Sequence, residues 1–305
     1  MKILILGNSD IFQRKIFPAL SKIKNLKIEL ASKSLKVTSV KYEKIYNNYE
    51  NALRETTANL VYISLVNSLH YKWAIKSLKY NKNLIIDKPI ALNLDQTKKI
   101  IKLASKKKLL VTEAIVFDLH KQFQKMYSIL DLKKKTEINT DFHIPKLNKN
   151  NFRNFNKLGG GCFQDMSPYA SSMIKIFFKN RKYFTKIKKT KNSKGIVESF
   201  RIKIRSKNIS LNSSFSFNSE YKNQIYIYND HKHYLIKRPF SPPIDKKLEL
   251  DIFDDIKKKK YKIKFGQQNV FLTYLNFVFN ILRKKKYNFF YKEIMQIAKI
   301  KKKIS

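Results

Sequence analysis

Cysteine is nearly absent: Cys162 is the single one in 305 residues. It has no partner for an intramolecular disulfide and none for a metal cluster, so no metal site is expected and a reducing cytoplasm fits. Arginine is scarce too, at positions 14, 54, 153, 181, 201, 205, 238 and 283 only. The formal charge of +43 therefore comes mostly from lysine, which lacks the bidentate fork used on phosphates and guanine edges. Lysine, asparagine and isoleucine are inflated together, as A-rich codons would write a surface. A solvated lysine face is expected rather than a specific nucleic-acid groove, although such charge draws in an anionic nucleotide. Long apolar runs are missing as well. The start "MKILILGNSD" reaches Gly7 and Asp10 too soon for a signal peptide, and "NVFLTYLNFVFNIL" is broken by Thr273, Asn276 and Asn280 and is too short for a bilayer. The expectation is a soluble cytoplasmic protein with no membrane span.

An apolar fraction of 43% is enough for a real core, and the length suits two domains. "KILIL" ends at Gly7 and is followed by "IFQRKIFPALSKI" at helical spacing. The rhythm recurs through "KIELAS", "NLVYIS", "SLHYKWAIKSLKY", "NLIID", "LDQTKKIIKLASKK" and "LLVTE". Apolar strands alternating with amphipathic helices predict a doubly wound parallel sheet, a Rossmann domain over 1–117. From about residue 136, "FRIKIRS", "ISLNSSFSF", "NQIYIYN" and "HYLIKR" follow one another without helices between them. They predict a second α/β domain over 118–305, built on an open, largely antiparallel sheet and closed by two C-terminal helices. "IKKKKYKIK" reads as a lysine-decorated strand or turn.

Four strand ends carry candidate chemistry. "GNSDIF" keeps Gly7 of a G-x-G-x-x-G phosphate turn, with Ser9 and Phe12 in the other two glycine places and Asp10 and Ile11 opening the helix. Ser32 and Lys33 end the second strand where an acid would favour NAD; a hydroxyl and a cation there favour NADP(H) over NAD(H). In "SLVNSLH", Ser64, Leu65, Asn67 and His70 stand at the mouth of the third apolar strand, where ligands of open parallel sheets bind. Asn67 or Ser68 also reads as a helix cap, and His70 as a packing residue. In "LIIDKPIAL", Asp87 and Lys88 precede Pro89, and a lysine partly desolvated at such a mouth can lower its pKa and reach a substrate oxygen. Lastly, "LGGGCFQDMSPYA" puts three of the chain's six glycines before Asp165 and Tyr169, which share a helical face at a spacing of four. Read by itself, this stretch is also a glycine loop followed by a Ser-capped helix that begins at Pro168, or a helix that Pro168 delays or kinks.

The order of G-x-S, "VYISLVNSLHYKWAIKSLKYNKNLIIDKPIALNLDQTKKIIKLASKKKLLVTEA" and "GGGCFQDMSPYA" resembles the Gfo/Idh/MocA family of oxidoreductases. Asp87-Lys88-Pro89 stands at its E-K-P, and the glycine stretch at its G-G-G-x-x-x-D-x-x-x-[HY]. Asp118 and Leu119 replace an arginine-containing motif common in the wider family. "DIFQRKIFPAL", "FHIPKLNKNNFR" and "YKNQIYIYNDHKHYLIKRPFSPP", with its R-x-F-[TS]-P-P ending, are similar to the nucleotide-sugar 3-ketoreductases of deoxysugar pathways. The resemblance implies a cofactor site at Gly7, Ser9, Asp10, Ile11, Ser32, Lys33, Ser64, Leu65, Asn67, His70 and Asp87. It implies catalysis by Lys88, Tyr169 and Asp165: Lys88 polarising a keto oxygen, Tyr169 protonating it and Asp165 positioning the sugar or the lysine. The implied partners are a sugar or nucleotide-sugar substrate and further copies of the chain joined through the C-terminal sheet. The alternatives are an NAD(P)-dependent dehydrogenase of a free sugar, cyclitol or sugar acid, and a non-catalytic ligand-binding relative.

Overall fold

The computed structural model describes residues 1–33, 42–179 and 181–305. They divide into two compact units, 1–114 with 271–299 and 115–270 with 300–305. In the first, β1 (Lys2–Leu6) leads through a π-helical turn, Phe12–Ile16, into α1 (Phe17–Leu20). The turn has a local cause: Pro18 brings no N–H to the Arg14 carbonyl, and the Phe17 N–H bonds the Phe12 carbonyl five residues back. There follow β2 (Lys27–Ala31), β3 (Lys44–Tyr46), α2 (Tyr49–Glu55), β4 (Leu60–Ile63), α3 (Asn67–Lys79), β5 (Asn83–Ile86), α4 (Leu94–Lys107) and β6 (Val111–Glu113). The strands pair in parallel in the order β3-β2-β1-β4-β5-β6. Their buried apolar runs take helices on both faces, and the order reverses between β1 and β4, which opens a crevice at their carboxyl ends.

The second unit begins with α5 (Lys121–Ser128), β7 (Thr136–His143), α6 (Cys162–Phe178) and β8 (Phe184–Lys191). It continues with β9 (Val197–Arg205), β10 (Ile209–Ser216), β11 (Lys222–Asn229), β12 (Lys232–Lys237), β13 (Leu248–Asp254) and β14 (Lys259–Phe265). These form an eight-stranded sheet, β14-β13-β12-β11-β7-β10-β9-β8, antiparallel except where β10 meets β7. The alternation in β7 turns Ile138, Thr140 and Phe142 inward, and α6 covers β9 and β10. "IKKKKYKIK" is the turn and strand it was expected to be, β14 with the turn before it.

Two expectations differ. Helix α6 is continuous from Cys162 with Pro168 inside it; it neither begins at Pro168 nor starts late. Proline in a helix interior costs about 3 kcal/mol. Phe163, Met166, Ala170, Met173, Ile174, Phe177 and Phe178 are all buried on this helix, and at roughly 1.5–3 kcal/mol for each large apolar side chain their burial outweighs that cost. The second difference is the division of the chain, expected as 1–117 and 118–305. Helices α7 (Val270–Lys284) and α8 (Asn288–Lys303) carry residues 271–299 into the first unit. Tyr274 bonds Thr112 at 3.1 Å, Tyr291 donates to the Leu109 carbonyl at 2.5 Å, and Ile294 joins the core around β4 and β5.

Candidate functional site

In the first unit the carboxyl ends of β1, β4 and β5 are tied by one directed chain of hydrogen bonds. Ser64 has a single hydroxyl proton, and Asp87 Oδ2 accepts it at 2.6 Å. Ser9 therefore donates across the 2.7 Å contact to Ser64, and the Ser9 oxygen accepts the Phe12 N–H at 3.2 Å. Tyr62 donates to Asp87 Oδ1 at 2.6 Å, so both carboxylate oxygens are held from within. Burial pushes the Asp87 carboxyl above its ordinary range, against the bonds from Ser64 and Tyr62 and the charges of His70 and Lys88. Burial likewise pushes the Tyr62 phenol well up, with the Asp87 charge adding to it. The backbone leaves this anchored carboxylate as Lys88, half-buried, and the Lys88–Pro89 peptide is cis.

Gly7 lies at φ +100° where β1 ends, and its N–H bonds the Ala31 carbonyl at 2.9 Å. A Cβ there would lie 2.3 Å from the Ser64 carbonyl oxygen, so the crossing of β1 and β4 admits no side chain. Asp10 and Ile11 are exposed just beyond, in the first turn of a helix, where backbone N–H groups have no intrahelical acceptor. These donors suit an anionic group. Ser32 is 3% exposed, and its N–H bonds the Tyr46 carbonyl, whereas Lys33 is exposed with its ammonium 6.0 Å from the Tyr49 ring centroid. Of the two, Lys33 is the one whose side chain is open to solvent at this strand end.

His70 is fully buried, with Nδ1 2.7 Å from the Pro89 carbonyl oxygen and Nε2 2.9 Å from that of Leu65. It braces the loop after β4 against the loop after β5, which sets it apart from the exposed Asp10 and Ile11. Asn67, also buried, is the first residue of α3. The cap is Val66, with no side-chain bond, so the capping role open to Asn67 or Ser68 is not used. Glu113, 8% exposed at the end of β6, accepts the Ile90 N–H at 2.9 Å and fixes the chain two residues past Lys88.

In the second unit the glycine triplet packs on a short turn, 151–158. The Gly161 N–H bonds the Arg153 carbonyl at 2.8 Å, and a Cβ on Gly160 would lie 2.5 Å from that same oxygen and 2.8 Å from the Phe152 oxygen. The close approach delivers the Arg153 guanidinium to Asp165, with Nε 3.1 Å from Oδ2. Asp165, the acid expected to position the sugar or the lysine, is 4% exposed and paired with Arg153. One turn on, Tyr169 is half-buried among the rings of Phe117, Phe142 and Phe240, whose centroids lie 6.0, 5.5 and 5.4 Å from its own. Phe142 comes from β7 and Phe240 from the loop after β12, so four elements fix the phenol's direction.

The structure thus groups Gly7, Ser9, Ser64, Asp87 and Lys88 in one unit, and Asp165 with Tyr169 in the other. Tyr62, Glu113, Arg153 and the three phenylalanines went unread. Scarcity was the available signal for Arg153: it is one of eight arginines in a chain that writes nearly every cation as lysine. Among the described residues no cluster of three or more potential metal ligands occurs, and no helix is long and apolar enough to cross a membrane.

Residues 1–115 match the family model for an oxidoreductase family with an NAD-binding Rossmann fold, Gfo/Idh/MocA. An uncharacterized oxidoreductase of Rhizobium meliloti is 24% identical over 183 residues, 57% of this chain and 55% of its own. A dTDP-3,4-didehydro-2,6-dideoxy-alpha-D-glucose 3-reductase of Saccharopolyspora spinosa is 22% identical over 185 residues, 58% of this chain and 56% of its own. The matched stretch spans about half the length of these curated relatives. A solved 3-ketoreductase of Actinomadura kijaniata, in complex with NADP and TDP-benzene, shares the fold over 100% of this chain and 96% of its own, with a TM-score of 0.92 at 17% identity. Through residues 1–115 the chain is similar to the Gfo/Idh/MocA oxidoreductase family.

Proposed function

We propose that this protein is a cytoplasmic NADP(H)-dependent oxidoreductase that reduces a keto group of a nucleotide-linked hexose. The first unit holds the cofactor and the second the sugar. The observation that carries the reading is Tyr169, a half-buried phenol aimed by three phenylalanine rings one helical turn from a neutralised acid. The exposed N–H groups after β1 suit the cofactor's pyrophosphate, and Lys33 suits a 2′-phosphate. The A. kijaniata ketoreductase, with NADP and TDP-benzene, supports both halves of the assignment.

When bound, NADPH supplies the hydride that adds to the carbonyl carbon. Negative charge then grows on the oxygen, and a fixed cation stabilises it mainly in the transition state. Lys88 is that cation, its backbone held by the anchored Asp87 before it and the Glu113 bond to Ile90 after it. Tyr169 gives the oxygen its proton and completes the alcohol. Asp165 acts through Arg153 and the glycine turn to position the start of α6. The protein is further proposed to assemble as a homo-oligomer through the face of the eight-stranded sheet away from α6, to be read by light scattering.

The test is turnover of keto-sugar nucleotides with NADPH. Lys88→Ala and Tyr169→Phe are each expected to lower kcat by roughly 10²–10⁴ while leaving NADPH affinity within a few-fold. Wild-type turnover in Tyr169→Phe would remove it as proton donor. NADPH binding that strongly exceeds NADH binding, and weakens in Lys33→Ala, is the expected cofactor result. Oxidation of free sugars with no action on nucleotide sugars would favour the dehydrogenase alternative.

A further inference from the structure

Arg153 has a carboxylate; Arg238 does not. Among the described residues no acid pairs with Arg238 and no hydrogen bond uses its guanidinium, whose Nε is enclosed without a partner. The head is nonetheless fixed, its central carbon 5.6 Å from the ring centroid of Tyr221, a tyrosine 47% exposed. Asn223, 5% exposed, sets the surroundings. Its carbonyl accepts the Arg238 N–H at 2.6 Å, its Oδ1 accepts the Phe240 N–H at 3.2 Å, and its Nδ2 donates to Ser241 at 2.9 Å and to Tyr221 at 3.3 Å. One buried asparagine, through its side-chain amide and its backbone carbonyl, thus holds the stacking tyrosine, the phenylalanine that touches Tyr169 and the arginine backbone.

We infer that Arg238 is the diphosphate-binding residue of the substrate site, gripping the pyrophosphate that joins nucleoside to sugar; this rests on the nucleotide-sugar reading above. A planar cation held against an aromatic face, with its Nη groups not enclosed, presents the fork that matches phosphate oxygens. Lysine serves at most surface positions of this chain, so an arginine retained at such a place is consistent with a need for that fork. Asp141 of β7, the strand paired with β11, is neutralised by Lys222 at 2.9 Å, and Lys237, next to Arg238 in sequence, is exposed and adds positive charge.

The experiment is calorimetric titration of the purified protein with dTDP, dTMP and inorganic pyrophosphate, beside a fluorescence titration with NADPH, all at one moderate salt concentration. Arg238→Gln is expected to weaken dTDP about 10- to 100-fold, the range of one lost charge-assisted contact, and to leave NADPH unchanged. Arg238→Lys restores the charge without the fork and recovers only part of the affinity. Arg54→Gln, which removes one charge from the first unit, leaves dTDP within twofold. If Arg238→Gln does not fold, Tyr221→Ala is expected to weaken dTDP in its place. Unchanged dTDP binding in Arg238→Gln, or a loss that falls on NADPH instead, overturns the assignment. A wild-type protein that binds NADPH but no dTDP also overturns it and leaves the oxidoreductase standing; one that binds neither removes the reading on which it rests.

Discussion

Four glycines separate the two costs that a side chain can incur. Gly7 has both a left-handed backbone, φ +100°, and a blocked Cβ position, 2.3 Å from the Ser64 oxygen. Gly160 has the block alone, 2.5 Å from the Arg153 oxygen with further backbone atoms at 2.7 and 2.8 Å. Gly195 has the backbone alone, φ +72° with nothing within 4 Å, and Gly266 has neither. A non-glycine residue in a sparse backbone region costs about 1–3 kcal/mol, and overpacking against atoms that cannot rotate away costs about 1–3 kcal/mol. Gly7→Ala is then expected to lose roughly 2–6 kcal/mol, against a typical domain stability of about 5–15 kcal/mol. Gly160→Ala and Gly195→Ala should each lose about 1–3 kcal/mol, and Gly266→Ala should change stability by about 0.5 kcal/mol or less. Urea unfolding of the whole protein is the assay, followed by a probe for each unit. The sharpest comparison is Gly160→Ala with Gly266→Ala. Equal midpoints there would mean that the turn at 151–158 gives way to a methyl group, and the account of how Arg153 reaches Asp165 would fail.

Asp165→Asn removes the charge that Arg153 faces. The expected loss is about 1–3 kcal/mol, below the roughly 3–5 kcal/mol of a fully buried pair, because the Arg153 side chain is 28% exposed. A double-mutant cycle with Arg153→Gln measures it, and additive losses would show that the pair is not coupled. His120 gives a pH dependence. It is 1% exposed, its Nδ1 accepts the Gln122 N–H at 3.2 Å, and burial, with Lys121 nearby, pushes its imidazole below the ordinary value. The neutral ring belongs to the folded state, so its contribution is fully present above the unfolded value of about 6.5 and is lost as pH falls below it. The slope is at most about 1.4 kcal/mol per pH unit for one proton. His120→Asn keeps a capping side chain and should flatten this part of the stability profile; an unchanged slope would point to another group.

Most of the first unit was readable because parallel strands buried on both faces leave continuous apolar runs. Ile3 to Leu6, Leu60 to Ile63 and Leu84 to Ile86 are such runs, and none is exposed to any measurable extent. The spacing of Asp165 and Tyr169 was equally plain, since α6 is an ordinary helix in its side-chain geometry. What the two residues touch was not. Asp165 meets Arg153 only because three glycines let one turn lie flat on another, and a sequence shows the glycines without showing the neighbour. Pro168 misled for a related reason: its local penalty is visible in one letter, whereas the burial that outweighs it is spread over seven side chains. The allegiance of 271–299 to the first unit was hidden too, because amphipathic spacing marks a buried stripe without naming its partner. The strand β8 left little trace: it is mostly lysine and threonine, with Ile187 and an exposed Phe184 as its apolar positions.

That faint strand has a use. The larger sheet ends in β8 on one side and β14 on the other, and each carries four lysines, at 186, 188, 189 and 191 and at 259, 260, 262 and 264. An outermost strand offers unpaired backbone groups to any passing chain, the route by which sheets grow into fibrils. Here an incoming copy of either edge would bring four more ammonium groups against the four already present. Eight of the chain's lysines therefore stand where they oppose such growth, through repulsion that salt screens over about 10 Å at 0.1 M. Neutralising these eight side chains, by acetylation or by glutamine in their place, would lower that repulsion at both margins.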